Sequence, residues 1–489
     1  MAKDFVVAIE LGSSFVRGIA GKKNADGSIG VLAYAKESSS SFIHKGYVYN
    51  IDRTAEAIRS IIETLSSNLK TRIKKVYVGI GGQSVCGVMN TIVRDFPTDT
   101  KITQMLIDNL MDTNWAVDYD GKELLECSVQ EYKVDNQYQT DPVGIECTHI
   151  EGAFLNIVSR QSFYRSINKC LAAAGVPLAE VILSPQALAD AILSETEKRM
   201  GCALVDFGAD TTTVAIYYKN IMRHLVVIPI GGNDITRDIT SLCVDDEEAE
   251  WVKIRHASAY RSGDGNGQEQ QTISVSTGEE ITDEVLSNVV YARMAEILEN
   301  VRTQIPEAYK DKLSSGFVIT GGGANMPQID TAISEILHTS KIRFARKVAS
   351  QIITKIEDED FNDGMHNTII GLMAKGTENC AGAEFGNDDI FGAGIDVGST
   401  EDEASSSVPD SSNVRIERPQ IQPTKEQREE YVNVQQPSNV AATLKDHNES
   451  IDEEKTPDEE EADGTEKNGG LRGFWNILKG MIKDEDEEK

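Results

Sequence analysis

Ala8-Ile9-Glu10-Leu11-Gly12-Ser13-Ser14, near the start of the chain, and Val205-Asp206-Phe207-Gly208-Ala209-Asp210-Thr211-Thr212, far downstream, share one pattern. In each, an apolar run ends with an acid two residues before a glycine, and small hydroxyl residues follow. A tight strand-turn-strand with glycine lets backbone N–H groups approach a phosphate closely, and serine or threonine adds donors without blocking that approach. Two such bends facing each other would clamp a polyphosphate. Glu10 and Asp206 would then hold magnesium through water, since that ion prefers oxygen ligands and keeps part of its hydration shell. Arg17 could reach back to the phosphates, and Asp206 is the one candidate for a catalytic role. Taken singly, either copy also fits an ordinary hairpin turn. The separation is too long for a solenoid repeat, so the duplication implies two related domains that share a cleft.

Outward from these bends the pattern is α/β. Phe5 to Ile9, Phe15 to Ala20, Lys75 to Ile80, Ala203 to Phe207, Thr213 to Tyr217 and Phe317 to Thr320 are β-branched runs bounded by glycines, which predicts strands. Ile58, Ile61, Ile62, Leu65 and Leu69 recur at helical spacing and predict one apolar stripe. Arg255 to Thr272 turns into Gly, Ser, Asp and Gln, the composition of a surface loop. A third motif, Thr320-Gly321-Gly322-Gly323-Ala324-Asn325, follows a buried strand. Backbone without side chains at a strand end can pack flat against a base or ribose, although a plain glycine-rich turn fits as well.

Composition narrows the partners. Of 489 residues, 79 are acidic and 48 are lysine or arginine, a formal net charge of −31. That field opposes the counterion-release binding that holds proteins to nucleic acid, so nucleic acid is not an expected ligand. The seven cysteines are scattered and include no C-x-x-C pair, which predicts buried thiols in a reducing cytoplasm. The seven histidines are dispersed and suggest no metal cluster. The acidic pair within Met1 to Glu10 does not suit a secretory signal. No run of 18 apolar residues occurs, so membrane contact is expected to be peripheral.

From about residue 381 to 470 the mixed pattern is lost. Between Glu401 and Gly470 there are 19 acids and 7 bases among many Ser, Pro, Gln and Asn. Such a segment buries too little apolar surface to offset chain entropy, which predicts a disordered linker with a span of roughly 50 Å. Beyond it, Leu471, Phe474, Trp475, Leu478, Met481 and Ile482, with Ile477 beside them, form one apolar face over 471–483. Arg472, Lys479 and Lys483 mark the polar side. This predicts an amphipathic helix lying on lipid, though a helix docked on the protein's own core shares the pattern. Full burial of a large apolar side chain is worth about 1.5–3 kcal/mol, and ordering a short helix offsets part of it. The acids Asp484 to Glu488 also oppose anionic lipid. One copy should bind weakly, so stable attachment calls for several copies on one polymer.

The three glycine-bearing segments, in this order, resemble the phosphate 1, phosphate 2 and adenosine motifs of the actin, Hsp70 and sugar-kinase superfamily. Ala174 to Ala189 and Ile369 to Gly376 look like its connecting helices. Val76-Tyr77-Val78-Gly79-Ile80-Gly81-Gly82, Asp141-Pro142-Val143-Gly144-Ile145, Ile228 to Thr236 and Glu247 to Ile254 are similar to stretches of the FtsA family of bacterial cell-division proteins. The resemblance covers about residues 4 to 376 and the far C-terminus.

It implies an actin-like two-domain α/β fold with duplicated ribonuclease-H-like cores, an inserted FtsA-type subdomain and a disordered C-terminal tail. The implied boundaries are 1–83 with 159–200 for subdomain 1A, 84–158 for the insert 1C, 201–240 with 312–380 for 2A, and 241–311 for 2B. The implied ligands are ATP and Mg2+. Glu10, Gly12, Ser13, Ser14, Arg17, Asp206, Gly208, Thr211 and Thr212 would serve the phosphates and metal, and Gly231 and Gly232 would belong to the same cofactor site. Glu250 and Lys253 would lie on the ribose side, and Gly321, Gly322, Gly323 and Asn325 at the adenosine. The resemblance further implies a filament on the inner face of the cell membrane at the division site. Its partners would be the C-terminal tail of FtsZ, lipid, further copies of itself and later division proteins.

Two departures qualify this. Glu10 stands where most of the superfamily has Asp. Ser184 stands just before Pro185, where hydrolysing relatives carry Glu or Gln to orient water, so hydrolysis is expected to be slow or absent. A small-molecule kinase on the same fold is the alternative, but no acceptor pocket or base is evident in the sequence. A pilus-assembly relative is a third reading; it would not need the C-terminal helix.

Overall fold

Strand Val6–Leu11 is almost wholly apolar and buried, interrupted by Glu10 at the end nearest its turn. It pairs antiparallel with Phe15–Lys23, which pairs antiparallel with Ile29–Ser38. On its other side Val76–Ile80 runs parallel, followed by Leu178–Leu183, also parallel. Downstream the arrangement repeats. Cys202–Phe207 pairs antiparallel with Thr212–Tyr218, which pairs with Ile221–Ile228. Phe317–Thr320 and then Ile342–Phe344 run parallel on the opposite side. Both sheets thus have the same strand order and directions, with the acid-bearing strand central, as the sequence duplication predicts. Ile352–Thr354 adds a sixth strand to the first sheet, beside Ile29–Ser38.

These relations come from a computed structural model, which describes residues 4–242, 244–260, 272–276, 280–357 and 359–384. The predicted linker beyond 384 and the amphipathic helix over 471–483 lie outside the described residues, as does Cys243.

Parallel neighbours need a crossover, and helices supply it. Ile51–Leu69 starts on Asn50, whose side chain accepts the Arg53 N–H at 3.0 Å, and ends at Lys70 in the left-handed region. Ile58, Ile61, Leu65 and Leu69 are buried against the first sheet, with Ile62 half-buried beside them. Each full burial contributes about 1.5–3 kcal/mol, so the stripe fixes which face of the helix turns inward. Of the stretches expected as connecting helices, Ala174 to Ala189 is a strand over Leu178–Leu183 and becomes helical at Ser184; helices Ser184–Ile192 and Asn367–Lys375 pack against each other.

The insert has its own small core of Ile102, Leu110, Tyr132, Val134, Cys147, Ile150 and Phe154. Strands Cys86–Lys101, Glu146–Arg160, Lys122–Val134 and Gln137–Gln139 form its antiparallel sheet, with helix Gln104–Trp115 against it.

Three further expectations need correction. Arg255 and His256 are helical, not loop: they close the helix Asp246–His256. Acids in its first turn and bases in its last complement the helix dipole, a signal that outweighs the loop-like composition following it. Thr272 likewise begins a short strand, Thr272–Ser274, while 261–271 lies outside the described residues. Among the described cysteines none forms a disulfide, but Cys86 and Cys127 are only partly buried. Among the described residues no helix is long and apolar enough to cross a membrane.

Candidate functional site

The turn after each central strand is closed by the same hydrogen bond. Gly12 N–H donates to the Phe15 carbonyl at 3.1 Å, and Gly208 N–H donates to the Thr211 carbonyl at 2.9 Å. A Cβ on Gly12 would lie 2.7 Å from the Phe15 oxygen, and one on Gly208 would lie 2.7 Å from the Thr211 oxygen. Glycine is therefore a steric requirement of both bends. Both open onto one cleft of about 530 Å³ between the two sheets.

Glu10, Gly12, Ser13, Ser14 and Arg17 line this cleft from the first half. Asp206, Gly208, Thr211, Gly231, Gly232, Glu250, Lys253, Gly321, Gly322, Gly323 and Asn325 line it from the second. Thr212 stands apart. It is buried, and its hydroxyl donates to the Ile230 carbonyl at 2.9 Å. Strand alternation explains this, because Thr211 and Thr213 face the cleft while Thr212 points to the other side.

Charge is concentrated at the base of the cleft. Glu10 and Arg17 are directly opposite in the antiparallel register, with Arg17 Nη1 3.4 Å from Glu10 Oε2. Burial works against the Arg17 charge, but Glu10 and Tyr34 outweigh it and raise the guanidinium pKa. Asp206 is pushed up to about 7, chiefly by burial and further by Glu10, with Arg17 opposing. Asp206 therefore senses Glu10 across the cleft, and a cation between them would relieve the repulsion. Among the described residues no group of three or more His, Cys, Asp or Glu could hold a metal. An ion here would complete its shell with water and ligand oxygens, which suits magnesium.

Elsewhere in the cleft, Lys253 Nζ donates to Glu250 Oε2 at 2.6 Å, Thr236 Oγ1 at 2.8 Å and the Gly232 carbonyl at 3.1 Å. Thr236 Oγ1 also donates to Glu250 Oε2 at 2.6 Å. The lysine is fully engaged and fixes the orientation of Glu250, whose other oxygen has no such donor among the described residues. Helix Gly232–Thr240 is docked on the second bend, with Gly232 and Asn233 N–H groups donating to the Gly208 and Ala209 carbonyls. Ser184 lines the cleft at the start of its helix, where it offers a hydroxyl but no carboxylate or amide.

Sequence reasoning missed Asp210, which is 6% exposed. One oxygen accepts the Lys45 N–H at 2.9 Å, and the other accepts Asn233 Nδ2 at 2.7 Å. Ser13 Oγ accepts the Gly46 N–H at 3.1 Å. A loop of the first half is thereby tied to the second bend. The local signal was present, since Asp210 falls inside the quoted motif, but its partner lies far away in sequence. Asp210→Ala strands these donors and is expected to lower unfolding stability by about 1–3 kcal/mol in urea melts.

A family model for cell division protein FtsA matches residues 203–371, and one for the SHS2 domain inserted in FtsA matches 82–158. Over 382 residues the chain is 31% identical to cell division protein FtsA of Porphyromonas gingivalis, covering 76% of this chain and 78% of that one. Over 390 residues it is 24% identical to cell division protein FtsA of Escherichia coli K12, covering 77% and 91%. Among solved structures, the PilM–PilN type IV pilus biogenesis complex is similar at a TM-score of 0.53 and 15% identity. That match covers 75% of this chain and 97% of the other. It concerns the fold alone.

Proposed function

The chain belongs to the FtsA family of cell-division proteins and has its actin-like fold, and from this we propose that it is an ATP-binding, filament-forming membrane adaptor. The observation that supports this best is the pair of matching acid–glycine bends opening onto one cleft. ATP would lie with its phosphates between Gly12–Ser14 and Gly208–Thr211. Magnesium would be held through water by Glu10 and Asp206, where it would screen phosphate charge. Glu250 would accept from the ribose, and Gly321 to Gly323 with Asn325 would border the adenosine. Arg17, released in part from Glu10 as the ion arrives, would meet the phosphates. Ser184 is poorly suited to orient an attacking water, so turnover would be slow or absent.

A nucleotide touching both halves favours the closed arrangement over the open one, by as much as its affinities for the two differ. In this reading the closed form polymerises on the inner face of the cell membrane at the division site. The filament binds the C-terminal tail of FtsZ, and the insert faces later division proteins. The apolar face of 471–483 attaches each copy to lipid. Weak single insertions then add up along the filament.

In liposome pelleting, a chain truncated after Gly470 is expected to lose most membrane binding while retaining nucleotide. Undiminished pelleting of the truncated chain would refute the anchoring part. The small-molecule kinase reading gains no support from the two family models and the two relatives, which are of cell division protein FtsA.

A further inference from the structure

A second cavity, of about 290 Å³, lies where the insert meets both halves and shares no lining residue with the first cleft. Glu126 and Ser128 reach it from the insert, Gln186 and Asp190 from the Ser184–Ile192 helix, and Tyr217 and Met222 from the second sheet.

The polar groups facing it are unevenly partnered. Asp190 takes two lysines, Lys198 Nζ at 2.5 Å and Lys375 Nζ at 2.7 Å. Lys198, so engaged, sits 5.6 Å from the centre of the Tyr217 ring. Glu126 receives one neutral donor, Gln186 Nε2, at 2.7 Å on Oε1. It has no ion-pair partner among the described residues, and burial pushes its carboxyl pKa up, with Asp190 adding to this and the Gln186 hydrogen bond and Lys375 opposing. Tyr217 is 4% exposed, and its hydroxyl has no hydrogen-bond partner. A buried polar group without a partner costs free energy, and a ligand that engages it recovers that cost.

We propose that this cavity is a binding site for a small aliphatic amine. The ammonium pairs with Glu126 and donates to the Tyr217 hydroxyl oxygen, and the alkyl chain lies against Val129, Leu183, Ile221 and Met222. Both lysines are held by Asp190, so an ammonium would give Glu126 the ionic contact it lacks, which an anion or a neutral molecule cannot. The volume, at the small end of ligand pockets, limits the occupant to a short chain.

The test is titration calorimetry of the full-length protein with n-butylammonium and with 1,4-diaminobutane, using n-butyrate as control. Saturable binding of the amines near about 1 mM is expected, with none for butyrate. Glu126→Gln should weaken it by at least about tenfold, and Tyr217→Phe, which removes only the hydroxyl, by about threefold to tenfold. Mg-ATP affinity should be unchanged in both variants, which also reports that they are folded. No saturable amine binding to the parent would overturn the proposal. Equal binding in a folded Glu126→Gln would do the same, as would a crystal grown with the amine that holds only water in the cavity. If Glu126→Gln does not fold, Tyr217→Phe and that crystal decide.

Discussion

Asp206→Asn is expected to weaken Mg-ATP binding by about 100-fold or more while making the unliganded protein more stable above neutral pH. The first effect follows if the proposed site is right and one of two carboxylates that would hold the same cation is removed; a charge-assisted contact is worth about 1.5–3 kcal/mol, and loss of the metal would add to it. The second follows from linkage. The carboxyl has an ordinary pKa of 3.8 and is raised to about 7 in the fold. Between those values the folded state keeps a proton that the unfolded state has lost. Stability attributable to this group is therefore full below about pH 4, falls as pH rises through about 7, and then levels off. Three pKa units amount to about 4 kcal/mol, an upper figure for the difference between parent and variant. Urea melts of both proteins from pH 5 to 9 measure it. A difference that does not grow with pH would contradict the burial assigned to Asp206.

Gly321→Ala should be still more disruptive. Gly321 has φ +89°, and a Cβ there would lie 2.4 Å from Asp206 Oδ1 and 2.5 Å from the Phe207 carbonyl oxygen. The carboxylate could rotate away, at the expense of its place in the cleft, but the carbonyl belongs to the central strand and cannot. Backbone strain together with this displacement is expected to lower unfolding stability by about 2–4 kcal/mol. Nucleotide binding should drop below detection in fluorescence titration. Gly27 provides the control: it has φ +83° with nothing within 4 Å of its missing Cβ. Gly27→Ala should show the strain alone, about 1 kcal/mol, with ATP affinity unchanged. Equal losses in the two variants would show that Gly321 matters only for its dihedral angle and not for what it touches.

These two residues were legible in the chain because each belongs to a local pattern. An acid, one spacer and a glycine at a strand end specify a turn and its chemistry within a few residues, and the second copy made the motif informative. Strand alternation, applied one residue further, would have separated Thr212 from Thr211. The register that puts Arg17 opposite Glu10 was also within reach, since a short turn between two strands fixes it. The Asp210–Lys45 tie was not legible, because its partners are far apart in sequence and belong to loops of different sheets. The helical ending of Asp246–His256 was obscured by the polar composition beyond it, although its charge gradient was visible. Tyr217 looked like any strand tyrosine. Its unpaired hydroxyl depends on what the insert, a helix and the second sheet leave open between them.

If both bends close over one nucleotide, a crystal structure with magnesium and a non-hydrolysable ATP analogue will have the triphosphate between Gly12–Ser14 and Gly208–Thr211, with the cation between Glu10 and Asp206. A cleft left empty at saturating analogue, or a nucleotide bound outside it, would show that the paired bends are not a nucleotide clamp.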